Sequence, residues 1–221
     1  MRTLRTLALL VGSSVAMFGA VCPTAVTYDT YTAGGFTCTL GIGGELDAIT
    51  FSNFSYTPGL GVGADTGVTV TVNNGGLGLY GFTFSAAWTT TSSGSAFFGY
   101  TATAASPFEF DFVSLAITAD TSAGGNATST KTLDCCPPPV SVSVVNLNGG
   151  ASGDAPISPS VTSFSMTDEL SLTSALEGTV TQSDITNWYG LTDTSNIPEP
   201  ASMFLFGAGL LGLGLLRRKV S

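Results

Sequence analysis

A chain of 221 residues that is 43% hydrophobic, with 14 Phe, 6 Tyr and 2 Trp, can build a packed core and is not a disordered protein. It holds 28 Gly and no His, only 10% charged residues, and a formal net charge of −9. Between the termini, fourteen carboxylates from Asp29 to Asp193 face one cation, Lys131, so this surface cannot neutralise phosphates and nucleic acid is excluded as a partner.

The N-terminus opens with Arg2 and Arg5, continues through an apolar run over residues 7–18, and ends in small residues up to Ala25. A charged region, an apolar region and a small-residue region in that order predict a secretory signal helix over residues 1–25. Neither Ala20 nor Ala25 is a good cleavage position, because Phe18 and Pro23 lie two residues before them. Ala16, with Ser14 before it, fits better but shortens the signal. Cys22 follows Val21, which is not small, so it does not read as a lipoprotein cysteine.

From residue 26 to 191 the chain alternates strand-like runs with turn signals. Gly34-Gly35, Gly43-Gly44, Asn73-Asn74-Gly75-Gly76, Gly124-Gly125-Asn126 and Asn148-Gly149-Gly150 mark turns. Strict alternation runs over 68–72, 108–112 and 140–144, placing Val or Phe on one face and Thr, Ser, Glu or Asp on the other. Further strands are expected near 26–32, 36–40, 48–57, 77–85, 96–104, 113–119, 161–166, 170–176 and 179–189. The pattern predicts an all-β, antiparallel, jelly-roll-like sandwich as the ectodomain. Pro137, Pro138 and Pro139 cannot pair within a central strand and are expected to form a stiff crossover between the two halves.

The four cysteines, Cys22, Cys38, Cys135 and Cys136, favour disulfides in an exported protein. Adjacent cysteines seldom bond each other, so Cys38 is expected to join Cys135 or Cys136. Cys22 would take the remaining partner if it survives signal cleavage. Without His or a Cys-x-x-Cys pair, a zinc site is not expected.

Without His, no Ser-His-Asp or Cys-His site can exist within this chain. Glu109 and Asp111 lie two apart on one strand face, the only pair that suggests a carboxylate glycosidase. Their flanking Phe residues make them the solvated side of a strand, and Asp168-Glu169, read as a strand start, is equally plain. Calcium suits loop carboxylates, and Glu45 with Asp47 in a Gly-rich loop is the best local pair. No other cofactor is expected. Trp88, Trp188 and Tyr189 are the candidates for stacking on a sugar, although tryptophan more often lies in a core.

A short linker, residues 192–197, leads to a tail over residues 198–221. The tail has Pro198-Glu199-Pro200-Ala201-Ser202, an apolar run to Leu216, and Arg217-Arg218-Lys219. Residues 201–216 would span about 24 Å as a helix, slightly short of a hydrocarbon core of roughly 30 Å. The basic cluster after the span keeps the C-terminus cytoplasmic and the ectodomain outside. Pro198 and Pro200 place the triplet in the extended segment before the transmembrane helix.

This order of triplet, apolar helix and basic cluster resembles the PEP-CTERM sorting signal of exported proteins in Gram-negative, biofilm-forming bacteria. The resemblance implies that exosortase, an integral-membrane transpeptidase, recognises Pro198, Glu199 and Pro200. It also implies transient anchoring in the inner membrane before delivery to the cell surface or extracellular matrix. Residues 36–40, 49–56 and 81–88 are loosely similar to stretches of PEP-CTERM surface proteins of unknown activity. Together these readings predict a non-enzymatic surface or matrix protein associated with exopolysaccharide. A carbohydrate-binding module, with or without calcium, is the alternative, and a carboxylate glycosidase comes third.

Overall fold

A computed structural model describes residues 20–42, 45–76, 79–121, 125–146, 149–174 and 179–195. Of the signal helix expected over 1–25, residues 1–19 lie outside them, as does the whole sorting tail with Pro198, Glu199, Pro200, Arg217, Arg218 and Lys219; residues 20–25 are not helical, and Ala20–Val21 form a strand. The elements in chain order are β1 (Ala20–Val21), β2 (Val26–Thr27), the one-turn helix α1 (Asp29–Thr32), β3 (Cys38–Ile42) and β4 (Glu45–Thr57). A 3-10 turn (Asp65–Gly67) leads into β5 (Thr69–Gly76), β6 (Leu79–Thr90), β7 (Ser93–Ala104) and β8 (Phe108–Asp120). The chain ends with β9 (Gly125–Asp134), β10 (Val140–Asn146), β11 (Gly149–Val161), β12 (Ser163–Ser174) and β13 (Val180–Asp193).

Two sheets form a sandwich. One has seven strands in the order β1-β3-β4-β7-β12-β9-β10, the other six in the order β11-β8-β13-β6-β5-β2. All pairings are antiparallel except the two-residue match of β1 with β3. Period-two patterning explains the layers: in β12, Phe164, Met166, Leu170 and Leu172 point inward while Ser163, Ser165, Thr167 and Glu169 face solvent. Between the sheets, Phe84 of β6 stacks on Phe98 of β7 with centroids 4.9 Å apart, and Phe51 meets Phe82 at 4.7 Å. Tyr28, just before α1, is fully buried beneath them, its hydroxyl 3.3 Å from the carbonyls of Ser55 and Gly99.

Several expectations need correction. Residues 29–32 form a helical turn, not the end of a strand, and this turn buries Tyr31. Residues 108–120 make one strand, interrupted by a bulge where β13 shifts between Gly190 and Leu191. The bulge ends the expected alternation: Phe110 and Val113 point inward, whereas Phe112 is partly exposed. Two strands were missed, β9 and β11. The latter is an edge strand, which is why it tolerates Pro156 and Pro159. Pro137, Pro138 and Pro139 lie in the turn of the β9–β10 hairpin, within one sheet, and do not cross between halves.

The disulfides also differ. Cys22 bonds Cys38, with Cα atoms 4.7 Å apart, and Cys135 bonds Cys136. The expected link from Cys38 to Cys135 or Cys136 fails on distance. β3 and β9 are four strand positions apart, about 19 Å at the ~4.8 Å strand spacing, far beyond disulfide reach.

Candidate functional site

The outer face of the six-stranded sheet is a ladder of hydroxyls and amides. On it, Asn73 of β5 donates to the Thr83 hydroxyl at 2.8 Å, and Thr83 lies 3.0 Å from the Thr186 hydroxyl of β13. Ser85 and Ser183 both donate to Asp184, at 2.6 and 2.7 Å. A groove of about 700 Å³ crosses one end of this face, lined by Thr69, Ser85, Ala87, Thr118 and Asp184 among others.

Trp188 is half-buried on the same face, because its neighbours Asn187 and Tyr189 both point inward and are fully buried. Across the strands its partners are Gly81 on β6 and Ser114 on β8. Both are small, so no bulky side chain stands directly opposite the indole. Gly81 is also required sterically: a Cβ there would lie 1.7 Å from the Asn187 carbonyl oxygen. Of the three aromatic candidates only Trp188 lies on the surface; Trp88 and Tyr189 belong to the core.

The interior holds a second polar group that was not anticipated. Lys131 on β9 is completely buried and stands directly opposite Asp168 on β12, which is equally buried. Asp168 is therefore neither at a strand start nor solvated, as expected above. From the other sheet, the amide nitrogen of buried Asn187 donates to Asp168 Oδ2. Lys131 Nζ is 3.1 Å from the Tyr189 hydroxyl and 4.5 Å from the centre of its ring. The Tyr189 hydroxyl in turn lies 2.7 Å from that of Tyr100.

Burial dominates the proton affinities of this cluster. It lowers the Lys131 amine to about 8, against the pull of Asp168, which raises it. Burial likewise raises the Asp168 carboxyl, opposed by Lys131 and by the Asn187 hydrogen bond. Tyr100 and Tyr189 are pushed well above the ordinary phenol range by the same desolvation. Among the described residues, Asp168 Oδ1 and Asn187 Oδ1 are buried and have no hydrogen-bond partner.

The sequence carried a signal for this cluster. Thr128, Thr130 and Thr132 alternate through β9, which places the lone mid-chain cation on the opposite, inward row. By contrast, Glu109 and Asp111 are engaged at the surface by hydroxyls of neighbouring strands, Ser160 and Thr192. The backbone of Glu45 and Asp47 lies in β4, with Glu45 paired to Ile42, and not in a loop. The side chains of both are outside the described residues. Among the described residues, no group of three or more His, Cys, Asp or Glu is placed to hold a metal ion, and no helix is long and apolar enough to cross a membrane.

The fold is an all-β sandwich, and residues 196–219 match the PEP-CTERM protein-sorting motif. This chain is a PEP-CTERM domain-containing protein, and the motif implies export and exosortase-dependent sorting to the cell envelope. No curated protein matches the sequence. Among solved structures it is similar to the carbohydrate-binding module TmCBM61 in complex with β-1,4-galactotriose. That match has 12% identity over 76% of this chain and 94% of that one, with a TM-score of 0.36. It is also similar to a family 11 carbohydrate-binding module from Clostridium thermocellum in complex with a β-1,3-1,4-mixed-linked tetrasaccharide. There the identity is 11% over 68% of this chain and 94% of that one, with a TM-score of 0.27. At these values the likeness carries no inference about a ligand.

Proposed function

We propose that this is a non-enzymatic envelope protein that exosortase releases from its tail into an exopolysaccharide matrix. Its contact with polysaccharide is the outer face of the six-stranded sheet. The observation that supports this reading is Trp188, half-buried between Gly81 and Ser114 on a face of Thr, Ser, Asn and Asp. An aromatic ring offers a flat apolar platform to the C–H face of a sugar, while hydroxyl and amide groups around it exchange hydrogen bonds with sugar hydroxyls. The non-enzymatic reading rests on the His-free sequence and on the surface carboxylates already occupied by Ser160 and Thr192.

A glycan array probed with the released protein tests the contact, in the presence and absence of a chelator. Trp188→Ala should weaken binding at least about tenfold, roughly 1.4 kcal/mol. Unchanged binding by that variant, or no glycan bound by the wild type, removes the polysaccharide contact. Binding that disappears with chelator would assign calcium a part in it.

A further inference from the structure

Lys131 is the one cation between Arg5 and Arg217, and the fold buries it completely. A charged amine there loses its hydration and gains few replacements: one phenol oxygen at 3.1 Å and the face of the same ring. Opposite it, Asp168 is bonded to the Asn187 amide, yet among the described residues one oxygen of each lacks a donor. Asp168 thus stands between Lys131, its cross-strand neighbour in one sheet, and Asn187, which bonds it from the other.

We propose that Lys131 and Asn187 become joined by an intramolecular isopeptide bond between the two sheets, formed without any other enzyme and assisted by Asp168. Asp168 takes a proton from the Lys131 ammonium, leaving a neutral amine beside a neutral carboxylic acid. Nζ then attacks Cγ of Asn187, and the Nζ–Cγ bond forms. Asp168 delivers a proton to Nδ2, the Cγ–Nδ2 bond breaks, and ammonia leaves. The proton shed by the new amide nitrogen returns to the carboxylate. Atoms and charges balance with no external reactant.

The geometry selects Asn187 over Asp168 as the group attacked. The hydrogen bond from Nδ2 already sets the carboxyl on the nitrogen that must leave. Were Asp168 instead the acyl donor to Lys131, its departing oxygen would need a separate acid, and Asn187 cannot supply one. The lowered amine and the raised carboxyl both favour the neutral pair from which attack begins. The product also resolves the orphan atoms: a protonated Asp168 can donate to the new amide oxygen, and the amide N–H can donate to Asp168. The two buried charges are gone. This inference is independent of any polysaccharide contact.

The test is intact mass of the exported wild-type protein after reduction and denaturation, followed by peptide mapping. The expected mass is lower than that of the same processed sequence by about 17 Da, one ammonia per chain. A branched peptide should join Lys131 to Asn187. Lys131→Arg and Asp168→Asn should each restore the full mass; Asp168→Asn should do so while keeping the near-ultraviolet dichroism of a folded core. Three outcomes overturn the proposal: separate wild-type peptides carrying free Lys131 and unmodified Asn187, a loss of about 18 Da with Lys131 joined to Asp168, or Asp168→Asn cross-linking as fully as wild type. The wild-type mass stands whether or not the variants fold.

Discussion

Position 131 sits on the inward row of β9 with Ala127, Ser129 and Leu133, all of them buried. In an Asn187→Ala variant no bond forms and Lys131 remains a free amine, so its protonation is linked to folding. Burial lowers the folded amine to about 8, against roughly 10.4 in an unfolded chain. Between these values the unfolded chain binds the extra proton, so stability rises with pH, by up to about 1.4 kcal/mol per unit. The other groups at the site act elsewhere or with the opposite sign. Asp168, raised by burial, loses stability as pH climbs from the ordinary carboxylate range, and Tyr100 and Tyr189 oppose folding only above about 10. Six tyrosines raised by burial weaken both proteins alike towards pH 10, so from pH 8 to 10 the urea midpoint of Asn187→Ala should rise relative to that of wild type, whose lysine is acylated. Equal slopes in the two proteins would contradict the cross-link.

At the scale of elements, the sequence exposed the sandwich wherever apolar residues alternate with polar ones, as in β5 and β10; it split β12 into 161–166 and 170–176, because Asp168 occupies an inward position. It hid β9 because two of its four inward positions are Ser129 and Lys131, so a search for hydrophobic periodicity passes over it. It hid β11 because prolines and glycines read as loop, although an edge strand admits both. The same limit concealed the core cluster: Asp168 and Asn187 come from different sheets, and only tertiary placement brings them together. Trp188 was legible as an aromatic, but its outward direction needed the register against Gly81 and Ser114.

The N-terminal elements make a prediction about processing. β1 pairs with β3, and Cys22, 4% exposed, bonds Cys38. Cleavage after Ala25 would remove that strand and leave Cys38 without its partner. Cleavage after Ala16, with Ser14 before it, keeps both. Edman sequencing of the exported protein should begin between Met17 and Ala20, and Val26 as first residue would refute the assignment. Cys22→Ser should cost about 2–3 kcal/mol, because the bond closes a loop of sequence separation 16.

On the scale of the whole molecule, the sandwich and the sorting tail constrain each other. β13 pairs as far as Asp193 with Phe108, and the Thr194 amide still bonds the Pro107 carbonyl at 2.9 Å. Only Ile197 and the residue before it then separate Ser195 from Pro198, a reach of about 10 Å across three residue steps. Were the tail to enter a bilayer, a folded domain with fourteen carboxylates and one buried lysine would be held close to a surface that repels it. Its apolar tail, about 24 Å as a helix, is short for a permanent span. Both features favour release over retention. The released protein should lack the Arg217-Arg218-Lys219 end, and mass analysis of its C-terminus reads this directly. In cells lacking exosortase, or with Glu199→Ala, the full-length chain should stay in the membrane fraction. A secreted protein still ending in Arg-Arg-Lys-Val-Ser would refute the processing step and leave the sandwich fold and its core cross-link untouched.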